Sequence, residues 1–216
     1  VARKADVIVL AIGESAEMSG ESSSRSDITI PQSQIDLLNE LKKTGKPIAM
    51  VLFTGRPLAL TNVKDVPDAM LNVWFSGTEA GHAIADVLFG KVNPSGKLPV
   101  TFPRSLGQVP IYYNHKNTGR PLSAEKTDKC EYDRFRANYM DECNTPLYPF
   151  GYGLSYTSFT YSDMSVSNTN PKGNQTVQVS VNLKNSGNYD GAEVVQLYIR
   201  DLVGSITRPV KELKGF

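Results

Sequence analysis

With 216 residues the chain can hold one large domain or two ordinary ones, with ample length for a core. A net charge of +1, with Lys, Arg, Asp and Glu intermixed, excludes a basic face for nucleic acid. No apolar stretch approaches the ~20 residues of a spanning helix, so no membrane segment is expected.

The chain opens on "VARKADVIVL", without a signal-peptide pattern, and starting directly on a strand suggests an excised piece of something longer. "DVIVLAIG" is a short continuous apolar run, as expected of a strand covered on both faces. After it comes an unusual connection, "AIGESAEMSGESSSRSDITIP", from Ala11 to Pro31. A connection in an α/β unit normally takes a handful of residues. This one is far longer, rich in Ser and Gly, and carries Glu14, Glu17 and Glu21.

"PQSQIDLLNELKKTG" then predicts a helix, with Pro31 suited to its first turn and Gly45 to its stop. Ile35, Leu38 and Leu41/Leu37 form its apolar stripe. "PIAMVLFTG" and "AMLNVWFSG" read as two more strands, "TEAGHAIADVLFG" as a helix closing at Gly90, and "KLPVTFP" as a short strand. Alternating strands and helices predict a mainly parallel sheet with flanking helices over residues 1–104. Residues 105–156 show little regular pattern and many aromatics, as in "IYYNHKNTGRP" and "YPFGYGLSY", and read as an aromatic-rich connector that packs across both domains. From residue 157 the period changes to two. "FTYSDMSVS" reads as a first strand. "TVQVSVNLKNSG" places Val177, Val179, Val181 and Leu183 inward, and "GAEVVQLYIRD" is expected to be its antiparallel neighbour. Residues 157–216 thus predict an all-β immunoglobulin-like sandwich with fewer than the usual seven or so strands, hence partial.

Several chemistries fail on spacing. Gly13 and Gly20 do not form G-x-G-x-x-G, no G-x-x-x-x-G-K-[ST] occurs, and three carboxylates beside a phosphate would repel it. No G-x-S-x-G elbow is present for a serine hydrolase. Cys130 and Cys143, with only His82 and His115 elsewhere, make a poor zinc set, and could equally form a disulfide or stay reduced. His82 falls within a predicted helix, where a structural role is expected, and His115 in a loop among tyrosines. No cofactor and no metal are expected. What remains is the loop: it leaves the carboxyl end of a strand, the usual place for ligands in α/β sheets. Glu21 in "SGESSS" is framed by small residues that allow a partner surface to approach. A solvated surface role for such a glutamate is the ordinary alternative. At most the chain offers half of an acid/base pair.

The stretches "GKPIAMVLFTGRPLAL", "WFSGTEAGHAIADVLFGKVNPSGKLPVTFPRSLGQVPIYYNHKNTGRP", "PLYPFGYGLSYTSF" and "ITRPVKELKGF" resemble the C-terminal half of glycoside hydrolase family 3, of its periplasmic β-glucosidase type. The resemblance covers essentially the whole chain. It implies an aspartate nucleophile on a barrel domain that is missing here. It also implies an α/β sandwich domain supplying the general acid/base glutamate on a loop, and a fibronectin-type-III-like domain at the end. In the resembling enzymes the acid/base precedes a Ser-Ser-Arg run, which places it at Glu21, with Glu14 and Glu17 as rivals; Arg25 would orient Glu21 or bind a sugar hydroxyl. Trp74, a conceivable sugar platform, is expected in the core. The implied reaction is retaining, exo-acting hydrolysis of terminal β-D-glucosyl residues from a β-linked gluco-oligosaccharide or an aryl β-glucoside, although family members also cleave xylosides. The implied compartment is periplasmic or secreted. Partners are the barrel domain of the same chain and a possible second copy in a homodimer, and the isolated fragment is expected to be inactive. The alternative from another class is a non-catalytic carbohydrate-binding or assembly module.

Overall fold

The computed structural model describes residues 1–216, which divide into two compact units. The first unit comprises residues 1–81, 98–152 and 196–216, and the second residues 82–97 and 153–195.

The first unit is built on a parallel sheet of β1 (Ile8–Gly13), β2 (Ile48–Phe53) and β3 (Ala69–Asn72), in that order. Ile8 is opposite Ile48 and Gly13 opposite Phe53, so β1 and β2 end level with each other. Between them runs α1 (Gln32–Lys42), with Pro31 at its N-cap and Gly45, in the left-handed region, ending the turn beyond it. The helix buries Ile35 and Leu38 against Ile8, Leu10, Ile12, Ile48, Met50 and Leu52 from one face of the sheet. Leu41 packs at the edge of this core, whereas Leu37 is 48% exposed, so the stripe is narrower than the sequence pattern. Leu58, Leu60 and Val63 from the β2–β3 connection, Ile30 and Phe102 complete the core.

β1 is not covered on both faces: Val7 and Val9 are more than half exposed, and along the strand exposed and buried residues alternate as far as Ile12. That side of β1 is left exposed, so an apolar run of this length marks a strand without showing how many of its faces are covered. "KLPVTFP" contributes a single antiparallel bridge, Phe102 to Tyr148, rather than a strand, because Pro99 and Pro103 bracket it and cannot donate to a ladder. Part of the aromatic set of residues 105–152 packs within this unit: Tyr113 stacks on Phe150 at 4.3 Å and meets Tyr198 edge-on, whereas Tyr112, Tyr132 and Phe135 are exposed. A disulfide joins Cys130 to Cys143.

α2 (Ala80–Leu88) is followed by Gly90 in the left-handed region, as its sequence predicts. In the second unit, β4 (Phe159–Val166) and β5 (Val179–Asn185) form an antiparallel ladder. Asn93 fastens the preceding loop, accepting from the Tyr156 N–H and the Ser155 hydroxyl and donating to the Asp190 carbonyl. Lys97 pairs with Glu193 at 3.2 Å, both side chains largely buried. Val177 and Val181 are half-buried, but Val179 and Leu183 remain exposed, since no second layer covers the ladder. The expected pairing of "GAEVVQLYIRD" with β5 does not occur. Its strand, β6 (Leu197–Ile199), pairs instead with β7 (Glu212–Gly215) in the first unit. The Gln196 amide donates to the Gly151 carbonyl there, turning the chain away just before β6 begins.

Candidate active-site loop

The long connection leaves β1 through a tight backbone contact. Gly13 has φ +133°, and a Cβ there would lie 1.9 Å from the Phe53 carbonyl oxygen, which only glycine permits. The Gln34 side chain of α1 accepts from the Gly13 N–H at 2.8 Å and donates to its carbonyl at 3.1 Å. The next residue, Glu14, is thereby aimed inward, its side chain fully shielded from solvent.

The Glu14 carboxylate is surrounded by donors. Oε1 accepts a hydrogen bond from Arg25 Nη1 at 3.1 Å, and Arg56 Nε stands 3.1 Å from the same oxygen. That second contact is an ion pair without hydrogen-bond alignment, which leaves the buried Arg56 Nε–H without an acceptor. Oε2 accepts from the Gly55 N–H at 2.9 Å. Arg56 also reaches forward, its Nη2 donating to the Met18 carbonyl at 2.8 Å. Ser19 lies against Gly55 so closely that a Cβ at residue 55 would come within 2.2 Å of its hydroxyl and 2.7 Å of the Phe75 ring.

Glu17 sits in a one-turn 3-10 helix, Ala16–Met18, and is exposed. Glu21 stands at the exposed apex, followed by Ser22 at φ +55°, and the Ser23 hydroxyl donates to the Glu21 carbonyl at 3.3 Å. No partner within the chain engages the Glu21 carboxylate. Past Arg25 the loop is fastened again. Asp27 accepts from the Thr29 N–H and hydroxyl, and those bonds hold its carboxyl below the usual range because they favour the charged form. Ala59 N–H donates to the Ile28 carbonyl, and Ile30 enters the core.

The structure thus separates the three glutamates that sequence leaves as rivals: Glu14 enclosed and paired, Glu17 and Glu21 in solvent. Arg25 is turned toward Glu14 rather than toward Glu21. Trp74 is half-buried at the end of β3, its ring 5.6 Å from that of Phe102, in keeping with a core role. The adjoining Phe75 is 69% exposed. His115 joins the first unit through its carbonyl, which accepts from the Val210 N–H, and its ring is exposed. Both cysteine sulfurs are consumed in the disulfide. Sequence reasoning missed Gly55, Arg56 and Phe75. They lie just after β2 and β3, at the same end of the sheet as the long loop, and that placement was the available signal.

Residues 1–156 match the model of the glycosyl hydrolase family 3 C-terminal domain, and residues 193–216 match that of the fibronectin type III-like domain. The whole chain is 55% identical to a periplasmic beta-glucosidase of Salmonella typhimurium, of which it covers 28%. It is 40% identical to a beta-xylosidase of Formosa agariphila, again covering 28%. Among solved structures, a beta-glucosidase from Listeria innocua superposes with a TM-score of 0.93 at 43% identity, over 99% of this chain and 29% of that one. The chain therefore spans little more than a quarter of the length of these relatives.

Proposed function

This chain belongs to glycosyl hydrolase family 3 and carries its C-terminal α/β domain followed by fibronectin type III-like sequence; from that membership we propose that the protein containing it is a retaining, exo-acting β-glucosidase in which Glu21 is the general acid/base. The nucleophile, on this reading, is a carboxylate on a barrel domain outside these residues. A retaining glycosidase needs two carboxyl groups about 5–5.5 Å apart across the scissile bond. One attacks the anomeric carbon; the other protonates the departing oxygen and then activates water. A donor that must reach a second domain belongs on a long, exposed loop.

The observation that carries the assignment is the contrast between Glu21 and Glu14. Glu21 presents a carboxylate with no internal partner at the apex of the loop. The Glu14 carboxylate is enclosed between two guanidiniums and a backbone N–H, where it has no access to a leaving group. Glu17 lies four residues before Glu21 on a shorter reach. A glucoside is favoured over a xyloside by the higher identity to the β-glucosidase than to the β-xylosidase. The same reading gives residues 1–104 to the α/β sandwich, 105–156 to a connector and 157–216 to the fibronectin-like part. It places the protein in the periplasm or outside the cell, and allows a homodimer.

The test is Glu21→Ala in the full-length enzyme. Proton donation is lost while nucleophilic attack remains. The glycosyl-enzyme should therefore form nearly as fast as in wild type from a dinitrophenyl glucoside, whose aglycone departs unaided. With cellobiose this step should slow by about 10²–10⁴-fold. Equal slowing of both substrates would reject the assignment.

A further inference from the structure

We propose that Glu14 is a positioning residue, a buried carboxylate that pins both legs of the 15–25 loop and so fixes where Glu21 stands; the proposal rests on the reading of Glu21 as proton donor. The first leg is held through Arg56, which pairs with Glu14 Oε1 and donates to the Met18 carbonyl. The second is held through Arg25, which donates to the same oxygen. Only residues 19–24 lie between the two fixed points, and Glu21 is among them.

Three observations support a locating role over one of bulk stability. Glu14 is the first residue after β1, so its own backbone is fixed by the sheet: its N–H donates to the Phe53 carbonyl at 2.8 Å. Its carboxylate gathers donors from two places, the loop itself and the Gly55–Arg56 pair after β2, and so ties one to the other. The loop between the anchors has little else to hold it: small residues, a Ser22 in the left-handed region, and weak serine contacts at 3.3 Å. Buried ion clusters are poor contributors to stability against apolar replacements, and their best-attested use is to fix register and conformation. A proton donor misplaced by about 1 Å can lose on the order of 10²-fold in rate.

The experiment compares Glu14→Gln, Arg25→Met and Glu21→Ala in the full-length enzyme. Two readouts are used: kcat/KM on a dinitrophenyl β-glucoside and on cellobiose, and hydrogen exchange of residues 15–26 against β1 and β2. Glu14→Gln keeps the shape and an acceptor for Gly55 but removes the charge that holds both arginines. Its cellobiose kcat/KM should fall by about 10²-fold, with the dinitrophenyl substrate changed only a few-fold. Exchange should quicken in 15–26 and stay unchanged in the strands. Arg25→Met releases only the second leg and should show the same pattern more weakly; it decides the matter if Glu14→Gln does not fold. A merely structural role would slow both substrates together or loosen the strands as well. Either result, or an unchanged loop, overturns the proposal while Glu21→Ala keeps its leaving-group dependence. If Glu21→Ala shows no such dependence, the donor reading has failed and the positioning role falls with it, whatever the exchange data say of the loop.

Discussion

At the scale of single residues, the loop shows what a sequence conceals. Glu14, Glu17 and Glu21 look alike in a Ser/Gly-rich stretch. Glu14 is set apart by arginines 11 and 42 positions away, one of which arrives only because β1 and β2 end level. Burial of a carboxylate depends on such long-range partners, so local composition could not separate it from its neighbours. A second residue, Asp68, gives a pH prediction. Its carboxylate accepts from the Ile48 N–H at 2.9 Å and from Lys42, and the backbone bond, then the lysine, hold its carboxyl below the ordinary range. A carboxyl depressed in the folded state contributes stability above its unfolded pKa of about 4, and loses it as pH falls through the folded value. Asp68→Asn keeps an acceptor for Ile48 but not the charge. Wild type should therefore melt higher than Asp68→Asn at pH 6, and the gap should narrow as pH falls below about 4 and through the depressed folded value. A gap that stays constant with pH would show that the charge at residue 68 is irrelevant to stability.

At the scale of elements, periodicity was a good guide to what exists and a poor one to what pairs. α1, its stop at Gly45, α2 and the three parallel strands were all legible, because each is set by local turns and by its own apolar pattern. The partner of β6 was not. Strand pairing is a long-range choice, and Gln196 on Gly151 directs the chain to β7 instead of β5. The disulfide lay outside sequence reach for the same reason. The stretch around it is irregular, with one short helix, α3 (Ala124–Asp128), whose N-cap Ser123 accepts from the Lys126 N–H. Closing a loop with a sequence separation of 13 restrains the unfolded chain by about 3 kcal/mol in the chain-entropy model. Replacing both cysteines by serine should lower the denaturant midpoint, with a slope no shallower than wild type because the freed unfolded chain exposes more surface. An unaltered midpoint would mean that the rest of the irregular stretch already confines the loop.

At the scale of the whole molecule, the chain holds a parallel α/β sheet with its helix and loop, and two small antiparallel ladders. The fold class and the family were legible because apolar strands, glycine stops and extended motifs are local properties of the sequence. On the proposed reading the catalytic pair is divided between this chain and a barrel domain of the same protein. Residues 1–216 alone should accordingly turn over no aryl β-glucoside above contaminant level, since general acid catalysis without a nucleophile contributes only about 10²–10⁴-fold. Measurable turnover by the purified chain would place both carboxylates within it.

On the proposed reading Glu21 moves the proton in both halves of the reaction. The measurement that tests this role most directly is turnover of a dinitrophenyl β-glucoside by full-length Glu21→Ala with and without azide. Loss of the base that activates water should let the glycosyl-enzyme accumulate, giving a burst and then slow release. Azide needs no deprotonation, so it should restore turnover and yield the β-glycosyl azide, with configuration retained. No burst and no azide product from Glu21→Ala, or azide rescue of Glu17→Ala in its place, would contradict the account.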